Sequence, residues 1–193
     1  MAPHESQPPP AGFETEALVH LDAVFRFARS LAGDDVAAED LTQETFLQAL
    51  RHWDQYTLGT NCRAWLFTIC RNARLQAIRR SREDATEDAD LESMASAAIQ
   101  SGLSDRDPEG RFFESPDLEG AVRDAVNGLP EEFREVVVLC DLEDQTYDTA
   151  ARIVGVPIGT VKSRLYRGRR ILQEKLVAHA IDAGLLPLSG GTR

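Results

Sequence analysis

Val156-Pro157-Ile158-Gly159-Thr160-Val161-Lys162-Ser163-Arg164-Leu165-Tyr166-Arg167-Gly168-Arg169-Arg170 is the stretch whose reading decides the fold. A proline near its start suits the first turn of a helix, where its missing N–H would have had no partner. At about 100° per residue, Val161, Leu165, Gly168 and Leu172 make one inward stripe. Thr160, Ser163, Arg164 and Arg167 share a neighbouring face, flanked by Lys162, Arg169 and Arg170. Just upstream, Thr146 to Val154 reads as a short helix with Thr146 as its N-cap, and Gly155 supplies the tight turn between the two. A short helix, a glycine turn and a longer basic helix form a helix-turn-helix pattern. Many such hairpins never meet nucleic acid. Here six basic residues stand against one acid (Glu174) between Thr160 and Lys175, which favours DNA over a plain solvated face.

A length of 193 residues suits one or two small domains. No apolar run is long enough to cross a bilayer. Residues 1–12 are Pro-rich, lack the basic and apolar regions of a signal peptide, and read as disordered, which makes the cytoplasm the expected location. Cys62, Cys70 and Cys140 have neither CxxC spacing nor a nearby His pair, so reduced thiols are expected and no metal or cofactor. The net charge of -11 sits awkwardly with DNA binding until it is located. From Glu83 to Glu119 there are twelve acids and two bases, a net of -10, and the rest of the chain is nearly balanced. Local field governs contact with phosphate, so one acidic segment does not exclude it.

Helical periodicity runs from Glu14 to Ala32, with Gly33 as its stop and Asp34 or Asp35 as the next cap. The following helix reaches about Trp53, with Leu41, Thr45, Phe46, Ala49, Leu50 and Trp53 on the buried side and Glu39, Asp40, Gln43 and Glu44 outside. A loop from Asp54 to Asn61 leads into a third helix, about Cys62 to Arg82, with Leu66, Ile69, Cys70, Ala73 and Ala77 facing the core. Between Gln55 and Arg82 there are six arginines and no acid, beside Tyr56, Trp65 and Phe67. Arginine pairs bidentately with phosphate and stacks on bases, so this run suits a nucleic-acid surface. A second apolar pattern starts near Leu118, and Pro130 opens a helix through Phe133, Val136, Val137 and Cys140. The expected fold is all-α, with two small helical domains (13–82 and 118–181) joined by a flexible acidic linker (83–117) and followed by a tail (182–193). Within the linker only a weak helix around Leu91 to Ile99 is expected.

Asp40-Leu41-Thr42-Gln43-Glu44-Thr45-Phe46 and Asn61-Cys62-Arg63-Ala64-Trp65-Leu66-Phe67-Thr68-Ile69-Cys70-Arg71-Asn72 resemble conserved region 2 of the extracytoplasmic-function sigma factors. Leu129 to Leu139 and Gly155 to Leu165 resemble region 4 of the same family. The order and spacing match over about residues 14–82 and 118–176, with nothing resembling regions 1.1 or 3. The resemblance implies a subunit of bacterial RNA polymerase that directs promoter recognition. Asp40, Gln43 and Glu44 would dock on the clamp helices of the β′ subunit, with the β flap as a further polymerase contact. Tyr56, Asn61, Arg63, Trp65, Arg71, Asn72 and Arg74 would read and open the minus-10 element. Ile158, Gly159, Thr160, Lys162, Ser163, Arg164, Arg167, Arg169 and Arg170 would meet the minus-35 element. Arg164 is expected at bases or the groove edge, and Lys162, Arg167 and Arg169 at the backbone. Promoter DNA, core RNA polymerase and an anti-sigma factor are the implied partners, with no membrane insertion. The acidic linker would thread the polymerase cleft and hold basic nucleic-acid paths until RNA displaces it. Two residues depart from the pattern. Ala150 stands where a larger aliphatic residue is usual, and Cys62 replaces a usually apolar one.

A stand-alone helix-turn-helix regulator is the competing reading, and it lacks the Asp40–Phe46 and Asn61–Asn72 segments. An enzyme has little support. His4, His20, His52 and His179 are scattered, and no Ser/His/Asp set or phosphate-cradling glycine loop occurs.

Overall fold

Asp34 sets the first helical junction. Its carboxylate accepts a hydrogen bond from the Ala37 amide at 2.8 Å, which is N-capping geometry. Gly33 closes the preceding helix at φ 87, in the left-handed region that suits glycine. The computed structural model describes residues 10–87 and 118–183. In chain order they form α1 (Phe13–Glu16), a 3-10 turn (Leu18–His20), α2 (Leu21–Ala32), α3 (Asp35–Arg51), a second 3-10 turn (Trp53–Gln55) and α4 (Cys62–Glu87). Then come α5 (Leu118–Asn127), α6 (Glu131–Val137) running into a π-helical turn (Val138–Leu142), α7 (Tyr147–Val154) and α8 (Ile158–Asp182). No strand occurs among the described residues, so the fold is all-α. The helix expected around Leu91 to Ile99 and the tail beyond Ala183 lie outside them.

Two helical boundaries differ from the sequence expectation. The single helix from Glu14 to Ala32 is broken at Leu18–His20 because its two parts serve different partners. Helix α2 packs on α3 and α4, whereas α1 carries Phe13 onto the edge of Trp53, ring centroids 5.0 Å apart. Helix α4 runs on to Glu87, past the change of composition at Arg82. Arg79 and Glu83, one turn apart and 3.7 Å from each other, bridge that boundary.

In the first half, Val24, Phe27, Leu66, Phe67, Cys70 and Thr45 are fully buried, and the Phe27 and Phe67 rings meet at 4.9 Å. The hydroxyls of Thr42 and Thr45 are satisfied by the carbonyls of Ala38 and Leu41 at 2.7 and 2.6 Å. Ala77 and Leu50, expected inside, are exposed. Burial pushes the thiols of Cys62, Cys70 and Cys140 up to about 11, 12 and 11, so all three are neutral at pH 7.

In the second half, α8 lies against α5, α6 and α7. Val161 and Leu165 are buried and Leu172 half-buried, following the inward stripe. Gly168 is the crossing point of α8 with α6: a Cβ there would stand 2.8 Å from Val137 Cγ2 and 3.4 Å from Phe133 Cβ. Ala150 is fully buried, so the small residue at this position keeps α7 close to its neighbours. The two halves share one continuous buried core, with α4 against α7 and α2 against α6.

Gly168→Ala should therefore lower the urea midpoint with little change in slope. The clash costs about 1–3 kcal/mol, more than the ~1 kcal/mol of helix propensity gained. Gly159→Ala, whose Cβ would meet nothing within 4 Å, should leave the midpoint unchanged or raise it. Stability should also fall at alkaline pH. A thiol whose folded value is raised stabilises fully below its unfolded value of 9.0, and that contribution is lost as pH rises through about 11 to 12. Cys70→Ala should flatten the loss above pH 9 in denaturant titrations, even while lowering stability at pH 7.

Candidate nucleic-acid interface

Thr146 opens the helix-turn-helix by accepting the Thr149 amide at 3.2 Å. Gly155 turns the chain at φ 68, and the second helix begins after Pro157 with no side-chain cap. The Thr160 and Val161 amides bond the Pro157 carbonyl at 2.8 and 3.2 Å, and the helix dipole adds positive potential at this end. Ile158, Gly159, Lys162, Ser163 and Arg167 are exposed around this end, and Thr160 is half-buried. Lys162 and Arg167 have no ion-pair partner among the described residues. The other arginines of the set are engaged. Arg164 pairs with Glu132 at 3.2 Å, Arg170 with Glu174 at 3.1 Å, and Arg169 binds Asp141 bidentately. The hydrogen bonds that Arg169 donates to the Asp141 carboxylate hold its guanidinium above its ordinary value.

The first half presents a different picture. Tyr56, expected at DNA, is only 7% exposed, because its ring packs at 4.8 Å from Trp53 and 5.2 Å from Trp65. Its hydroxyl donates to the Glu16 carboxylate at 2.7 Å and lies 2.9 Å from the Thr60 carbonyl. Burial, then the bond to Glu16, pushes the phenol up to about 12. Tyr56 is thus the internal support of the loop and not a stacking platform in this conformation. Glu16 also accepts the Gly59 amide at 3.2 Å, so a single carboxylate shapes the turn. Asn61 caps α4 by accepting the Ala64 amide at 3.0 Å. Beside it opens a cleft of about 490 Å³ lined by Glu16, His20, Thr60, Asn61, Arg63 and Gln145. Burial and then the charge of Arg63 hold His20 below its usual value.

Among the α4 set, Asn72 is exposed and Trp65 half-buried. Arg74 donates to the Leu31 carbonyl at 3.2 Å, closing the end of α2. Arg63 and Arg71 meet carboxylates from the second half. Arg71 lies 3.3 Å from Glu135, and Arg63, its guanidinium 5.8 Å from the centre of the Phe67 ring, is 3.8 Å from Glu143. Burial raises the Glu135 carboxyl, and Arg71 pulls it partly back. Glu143, which no motif in the sequence marks, is a further charged residue at this junction. This carboxylate is fully buried and takes Arg26 through two hydrogen bonds, at 2.8 and 3.2 Å. The one available signal was a cluster of acids directly before a basic helix-turn-helix.

On α3, Asp40 and Gln43 are exposed, and Glu44 accepts Gln48 at 2.8 Å. Leu47 and Leu50, 47% and 38% exposed, continue this face at helical spacing and give it an apolar end that the sequence reading placed inside or passed over. No described helix is long and apolar enough to cross a membrane, and no described group of three His, Cys, Asp or Glu side chains is placed to hold a metal.

The family models for Sigma-70 region 2 and Sigma-70, region 4 match residues 18–83 and 119–172. The extracytoplasmic-function sigma factor EcfG of Rhodopseudomonas palustris is 35% identical over 161 residues, which cover 83% of each chain. SigE of Mycolicibacterium smegmatis is 37% identical over 84% of this chain and 61% of its own length, so the chain spans about three-fifths of that relative. Among solved structures, the sigma factor RpoE of Bartonella quintana, in complex with the anti-sigma factor NepR, aligns with a TM-score of 0.63 at 34% identity, covering 86% of this chain and 96% of that one. Region 2, region 4 and these relatives together separate the chain from stand-alone helix-turn-helix regulators: it belongs to the extracytoplasmic-function RNA polymerase sigma factors of the sigma-70 family.

Proposed function

We propose that this chain binds core RNA polymerase in the cytoplasm and directs it to promoters read at two elements, acting by binding and not by catalysis. The observation that carries the reading is the outward face of α8: Ile158, Lys162, Ser163 and Arg167 are exposed at the start of the second helix of a helix-turn-helix. In this role the end of α8 enters the major groove at the minus-35 element. Arg164 leaves Glu132 to meet a base or groove edge, and Lys162, Arg167, Arg169 and Arg170 reach phosphates. Asn61, Arg63, Trp65, Arg71, Asn72 and Arg74 serve the minus-10 element, with Tyr56 fixing the loop from within. Opening that element takes bases from the stack at a few kcal/mol each, and stacking and pocket contacts of about 1–3 kcal/mol per base offset the cost. Asp40, Gln43 and Glu44, with the neighbouring Leu47 and Leu50, dock on the polymerase clamp helices. An anti-sigma factor is the proposed regulator, by analogy with the RpoE–NepR complex.

Run-off transcription tests the reading. Purified chain plus core polymerase should yield a discrete product from genomic templates, and a requirement for a second sigma factor would overturn it. Arg167→Ala and Lys162→Ala should each weaken promoter binding evenly across sequences and lower the log–log salt slope by about 1. Arg164→Ala should instead relax base preference at one position, by about 1–3 kcal/mol of discrimination.

A further inference from the structure

Helix α1 is four residues long, too short to hold its own shape, and it takes its place from the loop after α3. The Ala11 carbonyl accepts the Trp53 indole N–H at 3.2 Å, and Phe13 meets the edge of the same side chain at 5.0 Å. Gly12 closes on Leu58: a Cβ there would stand 3.3 Å from Leu58 Cδ2. Glu16 accepts the Tyr56 hydroxyl at 2.7 Å and the Gly59 amide at 3.2 Å, both through Oε2. Residues 11–16 thus touch the loop at its base and at its tip.

The loop has few ties of its own. The Thr60 amide bonds the Thr57 carbonyl at 3.2 Å, and the Thr60 hydroxyl donates to the same carbonyl at 2.7 Å. Thr57, Leu58, Gly59, Thr60 and Asn61 are all exposed, and Gly59 stands in the left-handed region at φ 77. A short exposed turn with so few bonds samples several shapes unless another element holds it. Glu16 supplies that hold, and its charge is otherwise ill suited to the place. It has no ion-pair partner among the described residues. It also lines the same cleft as Asn61 and Arg63, where a negative charge opposes phosphate. What it contributes there is its two hydrogen bonds. Glu16 lies before residues 18–83, the stretch matched by the region 2 family model.

We infer that Glu16 is a positioning residue for promoter recognition: by holding Tyr56 and Gly59 it sets the shape in which Thr57 to Asn61 meet the minus-10 element, and so governs discrimination among bases there. The inference deepens the promoter reading proposed above and rests on it. Glu16 acts through the two groups it holds and needs no contact with DNA. A loop held in one shape cannot adapt to a wrong base, whereas a loosened loop accommodates several.

Three substitutions test this in the full-length chain, alone and with core polymerase. Glu16→Ala removes both hydrogen bonds. Glu16→Gln keeps an accepting oxygen at the end of the side chain and removes only the charge. Tyr56→Phe removes one bond and keeps the ring, so it carries the test should Glu16→Ala fail to fold. In the free chain, hydrogen exchange of the Gly59 amide, followed by NMR, should quicken about tenfold in Glu16→Ala and stay near wild type in Glu16→Gln. In run-off transcription from promoters altered one base at a time, Glu16→Ala should lower discrimination at minus-10 positions about tenfold and leave minus-35 discrimination unchanged. Tyr56→Phe should fall between wild type and Glu16→Ala, and Glu16→Gln should restore most of the loss. Wild-type minus-10 discrimination in Glu16→Ala, or equal losses at both elements, would overturn the inference. So would a Gln variant as impaired as the Ala variant, since charge and not position would then be at work. A wild-type chain that starts no RNA at any promoter sinks the sigma-factor reading, and quickened Gly59 exchange in Glu16→Ala then still upholds Glu16 as the residue that holds the loop.

Discussion

A carboxylate removed from water must find its charge partners inside the protein, and Glu143 finds Arg26 and Arg63 across the junction of the two halves. Stripping hydration from such an ion costs several kcal/mol, and an attraction of about 4 kcal/mol per close pair at an effective dielectric of 20 returns a similar amount. Arg26 keeps 56% of its side chain exposed, which weakens the return further. The pairing therefore fixes how the halves meet more than how strongly they hold.

The same accounting explains an acidic protein with a basic task. Outside the linker the charges nearly cancel, and the structure pairs them: Glu132 with Arg164, Asp141 with Arg169, Glu135 with Arg71, Glu143 with Arg26. Lys162 and Arg167 are among the cations with no ion-pair partner in the described residues, and both lie on the exposed face of α8. Specificity for a phosphate surface arises from which cations lack an internal partner, and the net total says little about it.

The features legible in the sequence were those set by local rules. Thr146 as a cap, Gly155 as a turn, the Val161–Leu165–Gly168 stripe and the Asp34 junction all follow from neighbours within one or two turns. The all-α class and the α8 face came with them. Features set by distant contacts were not legible. Helix α1 separates from α2 because Phe13 seeks Trp53, forty residues away. Tyr56 turns inward because the indole rings of Trp53 and Trp65 and the Glu16 carboxylate converge on it. Glu143 looks like a loop residue until α2 and α4 are placed beside it. Helical periodicity cannot distinguish a core aromatic from a base-stacking one, since both are large, apolar and flanked by arginine.

Glu16 lies forty residues before Tyr56 in sequence, yet it pins Tyr56 and Gly59 at once. The turn after α3 is consequently rigid before any strand arrives. A ligand settling into the adjoining cleft would meet a mould already set, so little of the encounter free energy would go into ordering this turn.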